Sequence, residues 1–163
     1  MVHRIHRIHR IQTLPVTPDK AWDFFSDPCN LARITPPWMD FRIVSGCADH
    51  TYPGQIIEYR VRPFPLVRLG WLTEITQARS PVFFVDEQRR GPYAFWHHQH
   101  HFAAVENGAA VRMTDLVHWA LPWYALPVRA LVRRRLRIIF DYRQHALERL
   151  LGRAEQGEDA CRA

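Results

Sequence analysis

The chain has 163 residues, 47% hydrophobic and 23% charged, which suits one globular domain and excludes a wholly disordered chain. Its formal charge is +6, and of 22 basic residues only Lys20 is a lysine; this balance bears on solubility and anionic partners and does not decide the fold. No apolar run approaches the roughly 18 residues of a membrane-spanning helix, and the basic start lacks the apolar stretch of a secretory signal. Aromatic residues make up 12%, six of them Trp, and side chains this large either fill a core or line a cavity.

Residues 4–14 are Ile-rich and closed by Pro15, which reads as a strand. The His-Arg-Ile repeat there places His3, His6 and His9 on both faces of an extended chain, so no metal tract is expected. Thr17-Pro18-Asp19 carries a capping hydroxyl, a Pro at the first helical position and an acid in the first turn, and opens a helix. Asp27-Pro28 repeats the signal for a second short helix through Ile34, and Pro36-Pro37 forces a loop. Residues 41–45, 55–62, 68–77, 82–88, 94–105 and 109–119 read as strands punctuated by Gly, Pro or Asn. No helical pattern separates them, so the sheet is expected to be antiparallel. From residue 127 to 151 the apolar residues fall on one helical stripe, and Gly152 is a stop. A single domain over residues 1–151 and a flexible tail over 152–163 are expected.

Cys29, Cys47 and Cys161 are odd in number and form no CxxC pair. Neither a disulfide framework nor a Cys-based zinc site is expected, and a reducing cytoplasm fits.

Asn107-Gly108 between two alternating runs is a two-residue hairpin turn. It places Phe102 opposite Met113, His100 opposite Asp115, His98 opposite Val117 and Trp96 opposite Trp119, all on the buried face. A His100–Asp115 pair then points inward, where the carboxylate can orient the imidazole for general acid–base catalysis. A satisfied polar pair supporting the core or a pocket has the same residues. His98-x-His100 also has the spacing of two metal ligands on one strand face. A third ligand has to come from Asp115 or a neighbouring strand, and with none local, no metal is expected. Arg143 falls near the centre of the apolar helical stripe and needs a carboxylate or a wet cavity; Glu58, Glu74 and Glu87 are the candidates. Tyr142 beside it can add a hydroxyl.

Leu14-Pro15-Val16, Ala21 to Pro28 and Asn30-Leu31 look like the opening of the START-like, or SRPBCC, superfamily. Ile34 to Trp38, Tyr52-Pro53-Gly54, Trp71 to Thr76, Phe84 to Gln88, Gly91-Pro92-Tyr93, Phe95 to Phe102 and Met113-Thr114-Asp115 resemble one bacterial branch, the ligand-binding SRPBCC-domain proteins. The resemblance implies an α+β helix-grip fold: a curved antiparallel sheet of about seven strands around a long C-terminal helix, with a cavity between them. It transfers no catalytic set. The chain departs from relatives after Leu121-Pro122, where the turn reads Trp123 to Pro127 and is shorter.

The expected function is binding of a small, mostly hydrophobic or aromatic molecule. Trp96, His98, Phe102, Met113, Val117, Trp119, Arg143, Tyr142, Glu87 and Trp38 are the candidate ligand contacts. The alternative is a cyclase- or dehydratase-type enzyme on a polyketide-like substrate, with His100 and Asp115 as the acid–base pair. No cofactor and no nucleic-acid partner is expected. The basic, partly apolar face of the last helix allows contact with an anionic membrane, and the chain is expected to be a monomer or a homodimer.

Overall fold

The computed structural model describes residues 4–152; the expected tail, with Cys161, lies outside the described residues apart from Gly152. Strand β1 (His6–Leu14) leads to helix α1 (Pro18–Ser26). Thr17 caps α1 by accepting the Lys20 amide at 3.4 Å, and Pro18 occupies the first turn. Asp27 then accepts the Cys29 amide at 2.8 Å. The second short helix, Pro28–Ile34, is 3-10 and not α. The Pro36-Pro37 pair leaves it no room to continue, and Pro37–Met39 forms one more 3-10 turn inside the expected loop.

Six further strands follow: β2 (Arg42–Ser45), β3 (Ile56–Phe64), β4 (Val67–Arg79), β5 (Phe83–Arg90), β6 (Phe95–Val105) and β7 (Ala110–Ala120). They form one antiparallel seven-stranded sheet in the order β1-β7-β6-β5-β4-β3-β2. Register shifts between Ile43 and Ser45, Val61 and Phe64, and within the β4–β5 ladder bend the sheet, as bulges do. The β6–β7 ladder is unbroken and follows the predicted register, with His100 opposite Asp115 and Trp96 opposite Trp119. Its turn is closed by the Ala109 amide donating to the Glu106 carbonyl at 3.1 Å, with φ of 54° at Asn107 and 89° at Gly108. These are the left-handed positions that Asn-Gly supplies.

A 3-10 segment, Trp123–Val128, contains Pro127, and helix α2 (Arg129–Leu151) runs from there. Leu136, Phe140, Arg143 and Leu147 form its buried stripe at helical spacing. Strand β1 ties to α2 through the Arg10–Asp141 ion pair at 2.7 Å and a Gln12 amide donating to the Gln144 carbonyl at 3.0 Å. Two aromatic clusters fill the interior. One gathers Trp22, Phe25, Phe84 and Phe102 beneath α1; the other joins Trp96, Val117, Trp119, Leu136 and Phe140. This is the α+β helix-grip architecture.

The cysteine expectation is overturned. Cys29 and Cys47 are joined in a disulfide, with Cα atoms 6.7 Å apart. Residues after β2 fold back along the end of α1: the Thr51 amide donates to the Ser26 carbonyl at 2.7 Å, and the Ser26 hydroxyl meets His50 Nδ1 at 3.1 Å. That return brings two distant cysteines together, which spacing in the sequence could not show. With this pairing the cysteines no longer point to a reducing cytoplasm. No helix of the described residues is long and apolar enough to cross a membrane.

Candidate functional site

A pocket of about 300 Å³ lies between the sheet and α2, at the lower end of the roughly 300–1,000 Å³ typical of small-molecule sites. Strands β3 to β6 form its floor, with Ile57, Tyr59, Trp71 and Trp96 prominent. The 3-10 turn Pro28–Ile34 and one face of α2 close it. Arg135 lines it from α2 and lies over the rings of Trp38, at 4.9 Å, and Phe64, at 5.2 Å. The lining is mainly apolar. Besides Asp27 and Arg135, its ionisable side chains gather in one group on β5, β6 and α2: Asp86, His98, His100 and Arg143.

Period-2 alternation puts Phe84 and Asp86 on the inner face of β5 and His98 and His100 on that of β6. Asp86 stands opposite His98, and Phe84 opposite His100 with the rings stacked at 4.2 Å. His98 Nε2 donates to Asp115 Oδ1 at 3.0 Å, and His100 Nε2 donates to Asp86 Oδ2 at 2.9 Å. The other ring nitrogens also face carboxylates. His98 Nδ1 is 3.3 Å from Asp86 Oδ2, and His100 Nδ1 is 3.0 Å from Asp115 Oδ1. His100 Nδ1 is outside hydrogen-bond geometry and, with Arg143 Nε, has no hydrogen-bond partner although buried. Arg143 Nε lies 3.8 Å from Asp115 Oδ2.

The electrostatics follow from this ring of groups. Burial acts to lower the His98 pKa, but Asp86 and Asp115 outweigh it and hold the imidazole above its usual value. Burial acts to raise both carboxyls. Asp115 is nevertheless held well below the usual range by Arg143 and the two imidazoles, and Asp86 is lowered by His98 and His100. Two buried imidazoles, each between two carboxylates, can take up or release a proton or hold a cation.

Trp96, His98, His100 and Arg143 line the pocket. Asp115 sits behind it, on a second, small void beside β1. Phe102, Met113, Val117 and Trp119 face inward as expected, yet they are packed into the two core clusters and are not among the pocket's lining residues. At these four positions the inner face of β6 and β7 is packed against core side chains, Phe102 and Met113 in one cluster and Val117 and Trp119 in the other. Trp38 is 37% exposed and reaches the pocket through Arg135. Tyr142 packs against the core with Arg149 over its ring at 5.7 Å. Glu87 is on the outer face of β5, where it binds His97 at 2.7 Å and Arg89 at 3.2 Å. Arg143 pairs with Asp115 and not with a strand glutamate; Glu74 is taken by Arg89.

Sequence reasoning missed Asp86. It lies one residue before Glu87, and alternation from Phe84 puts it on the inner face. Val85, 4% exposed, is as buried as Phe84 at 6%, so the period-2 signal in β5 is blurred.

No protein-family model matches the chain, and no curated protein matches it in sequence. Solved structures do. An aromatase/cyclase from a Streptomyces species is 12% identical, with a TM-score of 0.69 over 88% of this chain and 92% of that one. A truncated norcoclaurine synthase from Thalictrum flavum is 13% identical, with a TM-score of 0.65 over 94% and 98%. A Rhizobium loti protein is 9% identical, with a TM-score of 0.67 over 90% and 99%. At these identities the likeness is one of fold: the chain has the helix-grip fold of these structures, the fold that the motif resemblance to the START-like, or SRPBCC, superfamily implies.

Proposed function

We propose that this protein binds a small, mostly hydrophobic or aromatic molecule between the sheet and α2. The observation that carries the reading is a mainly apolar pocket of about 300 Å³ into which a few charged side chains converge. Apolar walls supply affinity, and a few convergent polar groups orient the guest. The fold neighbours support it: the norcoclaurine synthase was also solved with dopamine and hydroxybenzaldehyde. The test is thermal shift and native mass spectrometry against a panel of aromatic and acyl compounds, with Ile139→Trp, at a position that lines the pocket from α2, as a variant that fills it. Binding by the wild type and its loss in Ile139→Trp supports the reading. Failure of every compound to bind, or equal binding by the filled variant, overturns it.

The second reading is an acid–base enzyme of the cyclase or dehydratase kind, acting on a polyketide-like substrate. The observation favouring it is that His98 and His100 each hydrogen-bond one carboxylate, which orients the ring and fixes its tautomer, and the two carboxylates raise the basicity of His98. Asp86 joins Asp115 as an orienting group. Turnover that persists unchanged in Asp115→Asn and in Asp86→Asn counts against it.

A further inference from the structure

We infer that Asp86, His98 and His100 form a binding site for one divalent first-row transition-metal ion, with an open position toward the pocket. Asp86 and the two histidines each offer one ligand atom, and the three atoms lie within 4.8 Å of one another. Asp86 Oδ2 is 3.3 Å from His98 Nδ1 and 2.9 Å from His100 Nε2. Ligand atoms bound tetrahedrally at roughly 2.0–2.1 Å lie about 3.3 Å apart, so small side-chain shifts suffice to admit the ion. Two imidazoles and one carboxylate suit a borderline ion such as zinc over magnesium or calcium.

The outer shell is also in place. The nitrogens that would not bind the ion, His98 Nε2 and His100 Nδ1, both face Asp115 Oδ1 at 3.0 Å. A carboxylate behind a ligating histidine fixes the tautomer and strengthens the ligand. His100 Nδ1 has no hydrogen-bond partner in the ion-free arrangement. Moving its proton from Nε2 to Nδ1 frees Nε2 for the ion and turns Nδ1–H toward Asp115. The three ligands line the pocket while Asp115 does not, so the inner and outer shells lie in the right order. Arg143 faces Asp115, so Asp86 is the carboxylate left to meet the cation. A pocket guest with an oxygen donor would complete the coordination. The site does not depend on that guest, and metal binding can be tested without one.

The experiment uses the whole chain, treated with chelator and assayed without reductant so that Cys29 and Cys47 stay paired. Zinc is titrated by calorimetry, and cobalt is followed by its visible absorption. The wild type is expected to bind one zinc per chain and to give the intense cobalt bands of a low-coordinate site. Asp115→Asn should weaken zinc binding about 10–100-fold, the usual cost of an outer-shell loss, and Asp86→Asn or His100→Gln should weaken it more. The paired change His6→Gln/His9→Gln on the edge strand β1 should leave it unaltered, as should Cys29→Ser/Cys47→Ser, which tests the other cluster of possible ligands, Asp27, Cys29 and Cys47. A wild type that binds no zinc, or gives only the weak spectrum of hexa-aquo cobalt, overturns the inference whether or not the variants fold. So does binding lost with the β1 histidines or with the cysteine pair.

Discussion

His98 reaches Asp115 along a diagonal of the β6–β7 ladder: its direct partner is Val117, while Asp115 stands opposite His100. The Asp86–His100 hydrogen bond is diagonal too, since Asp86 stands opposite His98. Two offsets on adjacent ladders turn what looks like one cross-strand pair into a closed group of four side chains. Diagonal neighbours about 7–8 Å apart at Cα are within reach of side chains of this length.

Arg143 completes the charge balance behind that group, which leads to a first prediction. Its side chain is 10% exposed and that of Asp115 7%. Removing one partner of a buried ion pair typically costs about 3–5 kcal/mol, because the other is left uncompensated. At 3.8 Å the pair is loose, so Arg143→Met is expected near the lower figure, about 3 kcal/mol by urea unfolding. Arg143→Met/Asp115→Asn should recover more than about 1 kcal/mol of that, a coupling a double-mutant cycle resolves. Strict additivity would show that the pair has no energetic role.

What the residues disclosed, and what they hid, divides along the connections. Asn107-Gly108 is a turn with one geometry, and it carried the whole β6–β7 register to Trp96 and Trp119. The β5–β6 connection has no such signal. Without a register, nothing in the sequence sets Asp86 against His98. Phe102, Met113, Val117 and Trp119 were assigned to the right face. Alternation tells which face is inside, and it does not tell whether that face meets a helix or a void. The disulfide depended on a chain return held by Ser26 and Thr51, which no local pattern encodes.

The second prediction separates core from pocket. Met113 is 2% exposed, and Ile57 on the pocket floor is 1% exposed. Met113→Ala is expected to destabilise by about 2–5 kcal/mol and to leave the affinity for any pocket guest within twofold. Ile57→Ala should also destabilise and, because it reshapes the pocket wall, change that affinity by tenfold or so, about 1.4 kcal/mol. Thermal shift with the best compound of the panel reads both. An affinity loss in Met113→Ala would return β7 to the ligand site.

Two glycines give a third prediction of unequal size. Gly108 and Gly46 both have positive φ, 89° and 84°. A Cβ on Gly108 would meet nothing within 4 Å, so Gly108→Ala pays the left-handed backbone penalty alone, about 1–2 kcal/mol. A Cβ on Gly46 would overlap the Ile56 carbonyl, and Gly46 also presents its own carbonyl to the Gln55 amide at 2.9 Å. Gly46→Ala must displace backbone beside Cys47 and should cost clearly more. Equal losses on urea unfolding would mean that β3 moves aside freely.

Alkaline stability supplies the last prediction. Burial pushes the phenols of Tyr93 and Tyr59 above the usual value of about 10, and the Asp86 charge adds to the effect at Tyr59. The folded protein therefore keeps two protons that the unfolded chain releases from about pH 10 upward. Their contribution to stability is fully present below that point and is lost as pH rises toward the folded-state values. Between roughly pH 10 and 11 the unfolding free energy should fall more steeply in the wild type than in Tyr59→Phe/Tyr93→Phe, each single change removing part of the slope. Phenolate absorbance should show two tyrosines ionising only together with loss of the fold. An identical slope in the double variant would mean that these phenols reach solvent in the native state.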